Sequence, residues 1–440
     1  MPGRSTDLGY HSEQRNNQQQ TRTFFRSLGP GVITGAADDD PSGIATYSQV
    51  GAQFGYAMLW TMLFSFPLMA AMQEICARLG RITGRGIAAN LKKVQPKYVT
   101  YFVVLLLCLA NLFNLGADIS AMGSAAQLVL GGSGAAHGVL FGILSLILQI
   151  FVPYRKYVRY LRWLTWSLLA YMVTALLVRV PWGAALRATF LPSFAFDQEY
   201  LIALVGVLGT TISPYLFFWQ TSEEAEEIRI RAEDSPLRKK PWQAAQHFRR
   251  IALDTRVGMA VSNLVAFFII LTAAATLHAA GSEYAIRSSA DAAKALEPLA
   301  GRFAFLLFAL GIVGTGMLAV PVLAGSAAYA VAELFHWRAS LEEQARRAPK
   351  FYSVLAVATL IGVGLNLVGI NPMRALFWSA VVNGVVAVPL MFLIMLMSSN
   401  PLVVQQFRLP RYLRIAGWIA TVVMLLASAL FLASALSTRR

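Results

Sequence analysis

The sequence predicts an all-α integral membrane protein of eleven transmembrane helices, with spans 1–5 and 6–10 forming an inverted repeat around two broken helices. Three observations predict it. Apolar runs of about 20 residues, long enough for a ~30 Å hydrocarbon core, recur along the whole 440-residue chain. Only 13% of the residues are charged and 57% are hydrophobic, where a soluble chain carries roughly 25% charged residues. Glycine and proline interrupt two of the spans, five apart, and an odd separation reverses the orientation of the second copy.

Residues 1–24 are polar (Glu13, Asn16, Asn17, Gln18, Gln19, Gln20) and contain no apolar run. They predict a disordered cytoplasmic tail without a cleavable signal peptide, followed by a single transmembrane domain over 25–440. The first span, near 29–51, opens on Gly29-Pro30-Gly31 and is broken at Ala36-Ala37-Asp38-Asp39-Asp40-Pro41-Ser42-Gly43. Spans 2 to 5, near 53–77, 99–130, 136–153 and 163–181, are unbroken. The sixth, near 200–221, is broken at Gly206-Val207-Leu208-Gly209-Thr210-Thr211-Ile212-Ser213-Pro214-Tyr215. Spans 7 to 11, near 257–280, 303–334, 352–370, 375–398 and 412–436, run through without a comparable break, and the eleventh falls outside the repeat. The third and eighth exceed the length a bilayer requires, so they tilt or project.

Charge placement orients the bundle. With a cytoplasmic N-terminus, 29 of the 37 Lys and Arg fall in the tail and alternate loops, and 8 fall on the opposite side. Basic residues concentrate on the cytoplasmic side of membrane proteins, so the expectation is a cell (inner) membrane protein with its N-terminus inside and its C-terminus outside. The same pattern accounts for the net charge of +15 and excludes nucleic acid as a partner. Cys76 and Cys108, the two cysteines, both lie in apolar spans and read as small buried side chains.

The breaks carry the chemistry. Proline removes a backbone donor and glycine tolerates unwinding, and backbone freed at membrane depth must line a cavity or be buried in protein. Asp40 sits mid-span, where a carboxylate is functional by default, unless the segment is the end of an extracellular loop. Asp38 and Asp39 adjoin it; three consecutive carboxylates repel one another and favour a cation. Thr210, Thr211 and Ser213 add hydroxyls and, with unwinding, carbonyls. Carboxylate, hydroxyl and carbonyl oxygens suit hard cations such as Mg2+, Ca2+ and Mn2+.

Residues 29–56, through Asp40-Pro41-Ser42-Gly43 and Gln49-Val50-Gly51-Ala52, resemble the first span of the Nramp metal transporters, which typically carry Asp-Pro-Gly-Asn there. The resemblance continues at Gln73-Glu74, at Ala77-Arg78-Leu79-Gly80-Arg81-Ile82-Thr83-Gly84, in the sixth span and from Asp291 to Phe335, and covers about 25–436. It implies a LeuT-like fold of eleven or twelve spans and import of divalent transition metals, usually with protons. The departures are specific. Asp40 keeps the family's aspartate, but Ser42 replaces its glycine and Gly43 its asparagine ligand. The family's Ala-Thr-Val-Met-Pro-His aligns with Thr210 to Tyr215, so Ser213 replaces the metal-binding methionine and Tyr215 the histidine of proton handling. In the third span Asp118 is kept, while Ala121 replaces the proton-pathway glutamate. These changes are similar to the Nramp-related magnesium transporter branch, reported to carry Mg2+ and Mn2+ without proton coupling. Loss of a thioether removes the preference for softer ions, and small residues widen the site for an ion that keeps its waters.

The resulting expectation is a transporter of divalent metal cations, favouring Mg2+ and Mn2+, by uncoupled alternating access. Asp40, Gly43, Thr210 and Ser213 are the expected metal ligands. Asp39, Ser42, Thr211, Tyr215, Asp118 and Asn383 are expected to line the site or pathway. Asp118, one turn from Asn114, reads alternatively as a helix–helix hydrogen bond, and Asn383 as interhelical packing. Glu74 reads as a partner of Arg78. Glu223, Glu224, Glu226 and Glu227 read either as an acidic exit vestibule or as a solvated helix end, and His247 and His336 fall in cytoplasmic loops. Competing functions are a proton-coupled Mn2+/Fe2+ symporter and an organic-solute symporter on the same fold. A paired-aspartate intramembrane enzyme is disfavoured, because Asn114-Leu115-Gly116-Ala117-Asp118 lacks the Gly-X-Gly-Asp pattern. No cofactor is expected beyond the transported ion, and the sequence is silent on oligomeric state.

Overall fold

A computed structural model describes residues 30–161, 164–230, 234–280 and 286–437; the tail expected at 1–24 lies outside them. The longer helices are α1 (Pro30–Asp38), α2 (Pro41–Phe54), α3 (Trp60–Thr83), α4 (Lys97–Leu130), α5 (Gly134–Phe151), α6 (Tyr154–Leu161), α7 (Leu169–Leu177) and α8 (Trp182–Phe190). They continue with α9 (Gln198–Thr211), α10 (Pro214–Ile230), α11 (Ala244–Ala273), α12 (Ala304–Leu334), α13 (Pro349–Asn366), α14 (Pro372–Ser399) and α15 (Arg411–Ser437). Among the described residues no strand occurs.

Eight helical stretches among the described residues are long and apolar enough to cross a bilayer, or ten if two sharply bent pairs each count as a span. The shortfall from eleven falls on the first, second and fifth predicted intervals. There the helices are short, as in α1, α2 and α7, or diluted by polar residues, as at Gln73-Glu74 of α3. Gly55 ends α2 at φ 57°, and the limbs Pro41–Met58 and Trp60–Thr83 meet at 108°.

Both predicted breaks are breaks. α1 stops at Asp38 and α2 restarts at Pro41, whose fixed φ suits a first helical turn. α9 stops at Thr211, with Ile212 off helical geometry at φ −117°, ψ 59°, and α10 restarts at Pro214. Sequence thus sets these ends locally: each restart has a proline where a helix tolerates one and nowhere later in its first turn.

The faces of α4 show how the bundle is assembled. Tyr98, Tyr101, Phe102, Leu105 and Leu109 are exposed and recur at helical spacing, forming one lipid-facing stripe. Asn111, Asn114 and Asp118 lie on the other side, fully buried, where α12, α13 and α14 pack. α15 repeats the pattern with exposed Ile415, Ile419, Val422 and Leu426 and packs its other side on α14 and α3. The polar side chains in the middle of α4 therefore sit where another helix covers them.

Several helix pairs meet backbone to backbone, two of them beside the breaks. A Cβ on Gly35 of α1 would fall 2.4 Å from the carbonyl of Gly258 in α11, and one on Gly209 of α9 would fall 2.1 Å from the Ala380 carbonyl and 2.5 Å from Gly384 N in α14. Small residues permit this approach in membranes, where dispersion and interhelical contacts replace the hydrophobic drive. Gly209→Leu should therefore lower the thermal midpoint and the monodisperse fraction of detergent-purified protein, since overpacking costs about 1–3 kcal/mol even where side chains can yield. Gly183→Leu, with nothing within 4 Å of its Cβ position, should leave both unchanged.

Candidate functional site

Asp40 stands in the gap between α1 and α2 and caps α2. Its backbone is extended (φ −73°, ψ 169°) and its Oδ1 accepts from Gly43 N at 2.7 Å. Ser42 Oγ donates to the same oxygen at 2.7 Å. Oδ2 accepts from Asn114 Nδ2 of α4 at 3.0 Å and lies 3.5 Å from the Tyr215 hydroxyl of α10. That hydroxyl also reaches the Ala37 carbonyl, at 3.1 Å. Four helix segments thus converge on one buried carboxylate, and every partner of Asp40 is neutral. A cap of this kind satisfies orphan N–H groups at a helix start and favours negative charge there.

Thr210 arrives from the other break. The position a Cβ would take on Gly43 is 3.0 Å from Thr210 Oγ1, 3.3 Å from the Tyr47 ring and 3.5 Å from Asp40 Oδ1. Any larger residue at 43 would fill the space between the two broken helices. Pro41 is held from the far side: α12 brings Gly316 against both Pro41 and Met122 of α4.

The predicted residues divide accordingly. Asp40, Ser42, Gly43, Thr210 and Tyr215 come together. Ser213 Oγ donates to carbonyls at the end of α9, Gly209 O at 3.0 Å or Thr210 O at 2.7 Å, leaving its lone pairs free. Thr211 bonds back along α9 to Val207 O at 2.9 Å, as a helix-internal hydroxyl does. Asp39 turns to α11 instead: Ser262 Oγ lies 3.1 Å from Asp39 Oδ1 and 2.6 Å from Asp38 Oδ2. Asp118 is fully buried with neither carboxylate oxygen hydrogen-bonded, and both amide atoms of Asn383 are likewise without a partner. Asp118 therefore does not make the helix–helix hydrogen bond that was its alternative reading. Asn383 belongs to α14, which packs on α2, α4 and α9.

Sequence reasoning missed three participants. Asn114 was visible as a polar residue one turn from Asp118, but its bond to Asp40 spans 74 positions. Ser262 had a weak signal, the polar pair Ser262-Asn263 in an apolar span. Tyr47 lies one turn beyond Gly43 on the same face of α2. Among the described residues no three His, Cys, Asp or Glu side chains gather as a metal cage. The site is one carboxylate among neutral oxygens, which suits transient occupancy by a hard cation better than permanent chelation.

The family profile described as "Natural resistance-associated macrophage protein-like" (Nramp) matches residues 31–434. The chain belongs to the Nramp family. It is 29% identical over 385 residues to the divalent metal cation transporter MntH of Acidiphilium cryptum, covering 84% of this chain and 82% of that one. It is 23% identical over 422 residues to the MntH of Klebsiella pneumoniae, covering 94% and 95%. The Eremococcus coleocola manganese transporter superimposes with a TM-score of 0.75 at 17% identity, over 93% of this chain and 85% of that one. Mhp1, a nucleobase-cation-symport-1 family transporter, superimposes with a TM-score of 0.58 at 13% identity, over 93% of each. The fold is therefore the LeuT-like one, shared beyond metal carriers, and these relatives are transporters rather than enzymes.

In this Nramp chain the acidic end of α10 is not a solvated helix end. Glu223, Glu224, Glu226 and Glu227 are all buried. Arg250 of α11 bonds Glu224 at 2.6 Å and Glu227 at 2.8 Å. Arg81 of α3, with no exposed surface, lies 3.8 Å from Glu227 and 2.6 Å from Asp234. Glu226 accepts from the hydroxyls of Tyr329 and Ser340. His247, expected in a loop, sits on α11 with its Nε2 3.0 Å from Arg81. Glu74 pairs with Arg78 at 2.7 Å, as its spacing implied, and also with Arg256 at 3.2 Å. The sequence misled because its charges are adjacent to basic loops, and only packing of α3, α10 and α11 puts them inside. Removing one partner from a buried ion pair strands the other, at about 3–5 kcal/mol. Arg250→Ala should accordingly give a clear drop in thermal midpoint, and an unchanged midpoint would mean that Glu224 and Glu227 are solvated.

Proposed function

We propose that this chain carries divalent metal cations across a membrane by alternating access, with Asp40 as the single charged ligand. The observation that carries the proposal is a buried carboxylate at the junction of two broken helices, surrounded by neutral oxygen and amide groups. A divalent ion brings the charge that such a site lacks, and a broken helix pair is the usual place for a carrier to bind it at the bilayer midplane. The MntH relatives are named divalent metal cation transporters, which supports the same class of cargo.

Gly43, Thr210 and Ser213 complete the proposed ligand set around Asp40, with Ser42 and Tyr215 lining it. No sulfur or imidazole belongs to the set, so hard ions gain relative to soft ones. Mg2+ and Mn2+ are the favoured cargo, the former retaining part of its hydration. Uncoupled transport is supported by Ala121 and Tyr215, which place no readily titrating side chain where the family resemblance leads one to look. One observation favours the alternative of proton coupling: Asp118 is a second buried intramembrane carboxylate, without a hydrogen-bond partner, and intramembrane carboxylates are the usual members of proton relays. Eleven spans in a cell membrane, N-terminus cytoplasmic, complete the reading, on the basis of the alternating basic segments.

Proteoliposome flux decides among these. Wild-type protein should pass Mg2+ and Mn2+ without acidifying a pH-dye-loaded lumen, and Asp40→Ala should reduce flux of both at least tenfold. Wild-type flux from Asp40→Ala would refute the site. Mn2+ entry with matched acidification and no competition by Mg2+ would establish proton coupling.

A further inference from the structure

We propose that Asn114 of α4 is a ligand of the transported ion, supplying through its amide oxygen the neutral side-chain donor that Gly43 does not have. The inference deepens the reading of Asp40 as the metal carboxylate and rests on it.

Three observations point the same way. Asn114 has no exposed surface, so both ends of its amide need partners inside the protein. Its orientation is fixed by chemistry: ionised Asp40 only accepts, so the NH2 group must face Oδ2, which it does at 3.0 Å. The amide oxygen is then left on the other prong, and it has no hydrogen-bond partner. An unpaired buried carbonyl of this kind keeps the full desolvation penalty of its lone pairs, a penalty that a cation or its bound water removes.

Distance allows it. The oxygen and nitrogen of one amide are roughly 2.2 Å apart given ordinary C=O and C–N lengths. Added to the 3.0 Å hydrogen bond, this places Asn114 Oδ1 within about 5 Å of Asp40 Oδ2. A divalent ion with metal–oxygen distances of about 2.0–2.6 Å spans such a gap directly, and a hydrated ion spans it with room to spare. The helix geometry adds to the case. Asn114 occupies the buried face of α4, opposite the lipid-facing stripe, and Asp118 follows it one turn on with both oxygens unpartnered. α4 thus contributes a column of unsatisfied oxygens beginning at the site, whereas α2 and α10 contribute the charge and the hydroxyls.

A residue that only steadies Asp40 and a residue that touches the ion differ in what their replacement does to ion preference. Asn114→Cys places a soft sulfur where the amide oxygen stood. Binding of Cd2+, Mn2+ and Mg2+ chlorides to purified protein should show the Cd2+-to-Mg2+ affinity ratio rising at least tenfold over wild type, and Asn114→Ala should weaken Mg2+ and Mn2+ without raising that ratio. Equal loss for all three ions in Asn114→Cys, in protein whose thermal midpoint and elution are those of wild type, would overturn the proposal and leave Asn114 a positioning residue. Asn114→Ser, a small polar replacement, serves the same comparison should the cysteine variant fail to fold: retained Mg2+ binding above the alanine variant supports the ligand role, and binding no better than alanine opposes it. Asp40→Ala run in parallel separates the two readings. If it still binds all ions, the site itself is misplaced; if it binds none while Asn114→Cys leaves the ratio unchanged, only the role of Asn114 fails.

Discussion

The first helix is interrupted inside the bundle, and its freed N–H groups cannot turn to water. Asp40 answers that constraint by capping α2 with Oδ1, at 2.7 Å from Gly43 N. The rest of the centre follows from it. A capping carboxylate must be held in place, so α4 and α10 come in with Asn114 and Tyr215. Close approach of the second broken helix requires that position 43 carry no side chain, so Thr210 Oγ1 sits where one would be. Pro41 and Pro214 make the restarts abrupt, and the backbone contacts Gly35–Gly258 and Gly209–Gly384 let the broken segments sit tightly against α11 and α14.

Charge is distributed on two scales. At the centre one carboxylate meets neutral donors, which leaves it receptive to a cation. At the end of the bundle where α3, α10 and α11 meet, two arginines bridge several carboxylates, Arg250 pairing with Glu224 and Glu227, and Arg81 with Asp234. Buried pairs of this kind give little net stability compared with apolar packing, yet breaking one is expensive. They fix which surfaces may lie together more than how strongly they do so.

Much of this was legible in the chain itself. Breaks at Asp40 and Ser213 announce themselves through proline, glycine and intramembrane carboxylates, because local backbone chemistry writes them into short segments. The helical class follows from apolar run length. What could not be read was pairing across the bundle. Asn114 is one polar residue among several until α4 is laid against α2. Glu223 to Glu227 look solvated because their neighbours in sequence are basic, while the residues that bury them come from helices about 25 and 140 positions away. Thr211 and Ser213 shared one motif and both hydroxyls bond back to carbonyls of α9; only the turn at Ile212 decides which of the two stands in the gap before α10.

The saturation of Asp40 has a kinetic side. A carboxylate offers about four acceptor positions, and Ser42, Gly43, Asn114 and Tyr215 occupy or approach all of them. On the proposed reading an arriving ion must evict donors that remain close by, and those donors reclaim the oxygens as it leaves. Residence would be shortened from both directions, so the same four contacts that hold the break together would make the proposed centre a place of passage and not a sink.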